Sequence, residues 1–167
     1  PYSLNADEQA LIDEYVGSFR ESQSLRRHMD FVYRAGSTYL CCNGNLLYHG
    51  CIPMEPDGSF TRVTMGDKTY FGKSLMDACD RLCRTAMYDR RMENTDLLWY
   101  LWCGPYSPLN GKDKIATFER TFLGDPEART EQKNPYYDLW NSGETARTIL
   151  TEFGVDFERG HIINGHV

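Results

Sequence analysis

The sequence predicts a mixed α/β fold, and three observations carry that prediction. Asn43-Gly44 sits between two strand-like stretches, residues 37–43 and 45–49, which is the strongest short-range signal for a tight hairpin. Residues 73–89 place Leu75, Cys79, Leu82, Cys83 and Ala86 on one face at helical spacing. Residues 160–167 (Gly-His-Ile-Ile-Asn-Gly-His-Val) read as a short buried strand running into a Gly-His pair, where the glycine lets the backbone bend.

The elements follow in order. Asn5 and Glu8 form a capping box, and Leu11, Ile12, Tyr15, Val16 and Phe19 continue it at helical spacing. A second helix over residues 23–34 is expected to bury Leu25, Met29 and Val32 and to stop at Gly36. The first hairpin then delivers His49 at a strand end, followed by Gly50 and Pro53. Residues 58–70 suggest a second hairpin, with Gly66-Asp67 as its turn. After the amphipathic helix, residues 96–103 are apolar on almost every side. They form a two-turn helix, capped by Thr95 and stopped by Gly104-Pro105, of the kind found inside protein or at an oligomer interface. A Gly/Pro/Ser/Asn loop spans residues 104–111, and a short helix near residues 115–123 carries Phe118, Arg120 and Phe122. Residues 124–133 read as exposed. Residues 134–140 start a helical turn at Pro135. Asn141 and Glu144 offer another capping box, for a helix burying Ala146, Ile149, Leu150 and Phe153.

The chain has 167 residues, enough for one domain with a real core. Hydrophobic residues make up 41% and charged residues 25%, the ordinary soluble pattern, and eight Phe, eleven Tyr and three Trp argue against disorder. A net charge of −6 with no basic stripe excludes a general nucleic-acid binder. No apolar run reaches the ~18–20 residues that span a bilayer, and no signal-peptide pattern is present, so no membrane is expected and the location expected is cytoplasmic. The six cysteines, at positions 41, 42, 51, 79, 83 and 103, include no Cys-x-x-Cys pair and are expected to be reduced and mostly buried. The chain begins at Pro1 and stops just after His166, and it is expected to be a piece of a longer protein.

Two histidines share one setting: a strand end beside a glycine. His49 and His166 lie 117 positions apart (166 minus 49), and they are expected to meet in space on one metal. Neutral imidazole is a common nitrogen ligand for Zn, Mn and Fe. Two imidazoles cannot complete a site, so carboxylates or an amide must come from elsewhere. Each histidine alone also reads as a satisfied polar residue. Strand parity sets His161 with residues 163 and 165, away from His166, as a surface or supporting residue.

Residues 41–53 resemble the His-Gly-Gly-x-x-Pro segment of calcineurin-like metallophosphoesterases, and Asn164-Gly165-His166 resembles their closing Gly-His motif. Further stretches, residues 98–109, 111–114, 117–120, 133–137 and 161–166, are similar to the bacterial class III fructose-1,6-bisphosphatases. The resemblance covers nearly the whole chain. It implies part of an α/β/β/α sandwich, with core segments at residues 1–53 and 160–167 and a largely helical insertion at residues 54–159 covering the site. It implies a gluconeogenic, two-metal hydrolysis of fructose 1,6-bisphosphate, removing the 1-phosphate, with Mn2+ as the usual ion. A homo-oligomer is expected separately, from the apolar helix over residues 96–103.

Carried over, His49 and His166 would both be ligands of the second metal. The family's Asp-x-His, Gly-Asp-x-x-Asp and Gly-Asn-His-Asp/Glu motifs do not occur in this sequence. The first-metal ligands, bridging aspartate and general-acid histidine are therefore expected outside it, and the chain alone is expected to bind metal weakly and hydrolyse nothing. The substrate's phosphates need fixed positive charge, for which Lys112, Lys114 and Arg120 are the candidates; an ordinary charged helix start is the plainer reading. Trp99 and Trp102 are expected to pack rather than to stack on sugar. Two other functions stay open: a phosphatase for another phosphomonoester or a phosphoprotein, and a non-catalytic assembly or regulatory core.

Overall fold

A computed structural model describes residues 3–89 and 91–166. The chain divides into two compact units, one up to Gly36 and one from Ser37 onward.

The first unit is two helices, α1 (Ala6–Glu21) and α2 (Gln23–Ala35). The predicted capping box is present. Asn5 Oδ1 accepts the Glu8 N–H at 2.9 Å, and the Glu8 carboxylate accepts the Asn5 N–H at 2.8 Å. Ser22 alone links the helices and caps α2 by accepting the Leu25 N–H. The expected burial of Leu25, Met29 and Val32 does not occur. No residue of either helix is buried, and Phe19 and Val32 are 68% and 55% exposed. A helical stripe is buried only against another layer, and this unit consists of these two helices alone.

The second unit is mixed α/β. Its main sheet starts with the hairpin β1 (Tyr39–Cys42) and β2 (Asn45–Tyr48). Asn43 and Gly44 take φ of 49° and 74°, the double left-handed geometry of a tight hairpin turn. The last strand, β5 (His161–Asn164), runs parallel to β2, pairing Asn45 with His161 through Tyr48 with Asn164, so the order is β1-β2-β5. β2 is central, and Leu46 and Tyr48 are buried. β5 is an edge strand and alternates exposed with half-buried residues, rather than being buried as the sequence suggested.

Between β2 and β5 lie a second hairpin, β3 (Val63–Met65) with β4 (Lys68–Tyr70), and the helices α3 (Gly72–Tyr88), α4 (Met92–Cys103), α5 (Thr117–Phe122), α6 (Pro126–Arg129), α7 (Tyr136–Leu139) and α8 (Gly143–Glu152). One core joins Leu46, Ile52 and Met54 to Tyr136 and to Ile149, Leu150 and Phe153. Each such side chain, fully buried, contributes about 1.5–3 kcal/mol. A second core joins Val63, Leu75, Cys79 and Leu101.

Several local expectations shift. α4 begins at Met92, so Thr95 lies inside it and donates its hydroxyl to Met92 O at 2.8 Å instead of capping. The cap of α8 is Ser142, not Asn141. α4 buries Leu101 and Asn94, but Trp99 and Trp102 are 63% and 59% exposed and meet edge to face at 5.0 Å. All six thiols are free, yet only Cys51 and Cys79 are buried, while Cys41 and Cys42 are exposed at the hairpin tip. Among the described residues no helix is long and apolar enough to cross a membrane.

Candidate metal centre

Because β2 and β5 are parallel neighbours, their C-terminal ends emerge on the same side of the sheet. His49 is the residue after β2, and Gly165-His166 follow β5. The ladder continues one step further, with Gly165 N–H donating to His49 O at 3.0 Å. His166 then turns back with φ of 58°, a left-handed conformation uncommon for a residue with a side chain. The two imidazoles end with ring centroids 4.7 Å apart and planes tilted by 41°, and both residues are exposed.

Neighbours fix this arrangement through the main chain. Asn164 Nδ2 donates to Gly50 O at 3.0 Å, crossing from the end of one strand to the turn after the other. The Tyr137 hydroxyl donates to His166 O at 3.1 Å. Cys51 N–H donates to Pro108 O at 3.0 Å, which fastens the 104–111 loop to the turn that carries His49. The approach needs glycine at position 50, since a Cβ there would lie 2.4 Å from Pro108 O. Gly111, at φ of 63°, presents its open face to the Tyr137 hydroxyl, 2.5 Å from where a Cβ would sit. Asn134 ties these pieces together. Its Oδ1 accepts the N–H groups of Met54 and Tyr136, and its own N–H donates to Gly111 O. Beneath them the Tyr48 and Tyr136 hydroxyls share a buried hydrogen bond of 2.7 Å, and burial pushes both phenols above their ordinary range.

The three basic candidates are committed within their own segment. Lys112 Nζ and Arg120 Nη2 both reach Glu131 Oε2, at 2.9 and 3.1 Å, and Ala116 N–H donates to Glu131 Oε1 at 2.9 Å. The Ala116 N–H, and then Lys112, hold the Glu131 carboxyl below its ordinary range. Residues 124–133 are exposed as expected except at 128 and 131, and the Glu131 side chain is only 9% exposed. Lys114 Nζ donates to Glu127 O at 2.8 Å. Among the described residues no hydrogen bond or ion pair joins Lys112, Lys114 or Arg120 to either histidine. His161 faces away, its Nδ1 3.2 Å from Asn45 Oδ1.

Sequence reasoning missed the structural parts played by Tyr137, Asn164 and Glu131. The signal for Tyr137 was present as an aromatic pair behind Asn134-Pro135, but its role depends on a contact 29 positions away. Among the described residues, no third His, Cys, Asp or Glu joins the histidine pair into a cluster able to hold a metal. The described residues therefore bring two imidazoles together without a complete ligand set.

A family model described as Firmicute fructose-1,6-bisphosphatase matches residues 1–167. A protein named fructose-1,6-bisphosphatase class 3 from Clostridium botulinum (strain Loch Maree / Type A3) is 48% identical over 172 residues, covering 100% of this chain and 26% of its own. The protein of that name from Clostridium tetani (strain Massachusetts / E88) is 46% identical with the same coverage. The chain thus spans about a quarter of the length of these curated relatives, 26%. No solved structure matches. With the family model matched from its first residue to its last, the chain belongs to the Firmicute fructose-1,6-bisphosphatase family.

Proposed function

We propose that the chain supplies His49 and His166 to the metal centre of a phosphatase that removes the 1-phosphate of fructose 1,6-bisphosphate, a gluconeogenic step carried out in the cytoplasm. The observation that carries the reading is the convergence of two imidazoles, 4.7 Å apart, at the ends of adjacent parallel strands. The relatives are named for this activity. Neutral imidazoles suit Mn2+ and similar divalent ions. The anionic ligands and a general acid come from the rest of the full-length protein, in an α/β/β/α calcineurin-like sandwich to which residues 1–53 and 160–167 contribute and which residues 54–159 cover.

Two bound divalent ions would supply Lewis-acid charge at the phosphoryl oxygens and lower the pKa of the attacking water. The chain's own residues hold and orient. His49 and His166 donate ring nitrogens. Tyr137 and Asn164 fix the backbone that carries them. The 104–111 loop, fastened at Pro108, walls one side of the histidine turn. Exposed Trp99 and Trp102 support a homo-oligomer, since paired exposed aromatics mark contact surfaces.

The test is full-length protein assayed with fructose 1,6-bisphosphate and Mn2+, then H49A and H166A. Each variant is expected to lose at least tenfold in kcat/KM and in Mn2+ affinity, on the scale of a lost ligand. Unchanged activity and metal binding in both would sink the assignment.

A further inference from the structure

We infer that Lys133 anchors the phosphate of the substrate that is not cleaved. The inference rests on the sugar-bisphosphatase reading above and names the residue which that reading lacks. A bisphosphate carries two strongly anionic groups separated by a sugar. If one sits at the histidine pair, the other needs a free cation a short distance away.

Lys112, Lys114 and Arg120 do not offer one. Lys112 and Arg120 share Glu131, and Lys114 is held by a carbonyl. Lys133 is differently placed. Its ammonium lies over the Tyr137 ring, 5.4 Å from the centroid, and the residue is exposed. Among the described residues it makes no ion pair. The far end of the same ring donates to His166 O. One phenol ring therefore contacts both an uncommitted ammonium and the main chain of a candidate ligand.

The base beneath Lys133 is firm. Its backbone bridges to Lys112, and the next residue, Asn134, is buried and hydrogen-bonded to Gly111, Met54 and Tyr136. The aromatic face holds the lysine without neutralising it, since a cation–π contact leaves the charge free to meet an anion. A lysine serves as a compact point charge for phosphate.

The test uses full-length wild type, K133M and K133R. Steady-state kinetics are read with fructose 1,6-bisphosphate and with p-nitrophenyl phosphate, which has a single phosphate. K133M should lower the ratio of kcat/KM for the bisphosphate over p-nitrophenyl phosphate about tenfold, mainly through KM, and K133R should recover part of it. An unchanged ratio overturns the inference while leaving the phosphatase reading intact. If wild type fails to hydrolyse the bisphosphate, that reading falls by itself. Calorimetric binding of fructose 1,6-bisphosphate against fructose 6-phosphate then decides Lys133. A preference for the bisphosphate that K133M loses supports it, and equal behaviour of wild type and K133M overturns it.

Discussion

Tyr137 donates its hydroxyl to the main-chain oxygen of His166 at 3.1 Å, and that hydroxyl fills the space a side chain at Gly111 would need. One phenol thus couples the closing histidine to the loop that packs behind the other. His166 sits at φ of 58°, a conformation a residue with a side chain adopts only when its surroundings hold it there.

Y137F keeps the ring and removes the donor. A hydrogen bond of this kind is worth about 1 kcal/mol, so the variant should bind Mn2+ up to about fivefold more weakly in the full-length protein. Electron paramagnetic resonance of free Mn2+ measures the affinity. An affinity equal to that of wild type would show that His166 is held without the tyrosine.

Gly50 makes a sharper steric demand. A methyl group there would meet Pro108 O at 2.4 Å and Leu109 O at 3.1 Å, both of them backbone atoms that cannot swing aside as a flexible side chain would. G50A should therefore cost about 1–3 kcal/mol in urea unfolding and separate the 104–111 loop from the His49 turn. Limited proteolysis should then cut within residues 104–111, which the wild type protects.

How far the sequence reached follows from where each signal resides. The Asn43-Gly44 turn is local chemistry, and it set the hairpin, the register and hence the position of His49. The meeting of His49 with His166 was legible because both follow strands and carry a glycine neighbour, and the parallel β2–β5 pairing brings those ends together. The exposed stripe of α2 was misread because periodicity specifies a face but not what covers it. Glu131 was misread because its burial comes from Lys112, Ala116 and Arg120, each more than ten positions away, while its own neighbours are polar. Residue type alone suggested Lys112 and Arg120 as phosphate contacts; the pairing that occupies them is tertiary.

Glu131 gives a pH prediction. Its folded carboxyl is held below the ordinary glutamate value of about 4.3, by the Ala116 N–H and then Lys112. A depressed folded value stabilises the protein above the unfolded pKa and is lost as pH falls through the folded one. E131Q should cost about 2 kcal/mol at pH 7, because it removes charge-assisted bonds to Lys112 and Arg120. That deficit should shrink once the pH falls below about 4. Urea unfolding of both proteins from pH 7 to pH 3 measures it, and a deficit constant across that range would mean that Glu131 acts by packing rather than by charge.

The thiols separate by depth. Burial pushes Cys51 and Cys79 up to about 12, so neither carries appreciable thiolate at neutral pH, and neither is open to reagent. Cys41 and Cys42 are exposed on β1 beside the hairpin turn, and Cys83 and Cys103 are half-covered. With an aromatic disulfide reagent at pH 8, the native chain should therefore release two equivalents quickly, from Cys41 and Cys42, and two more slowly. Cys51 and Cys79 should react only on unfolding. Mass mapping of the labelled peptides identifies the residues. Because Cys51 N–H donates to Pro108 O, its labelling in the native state would mean that the 104–111 loop opens far enough to expose the turn behind His49. G50A should then raise the Cys51 labelling rate selectively, leaving that of Cys79, which lies in the other core beneath α4, close to wild type.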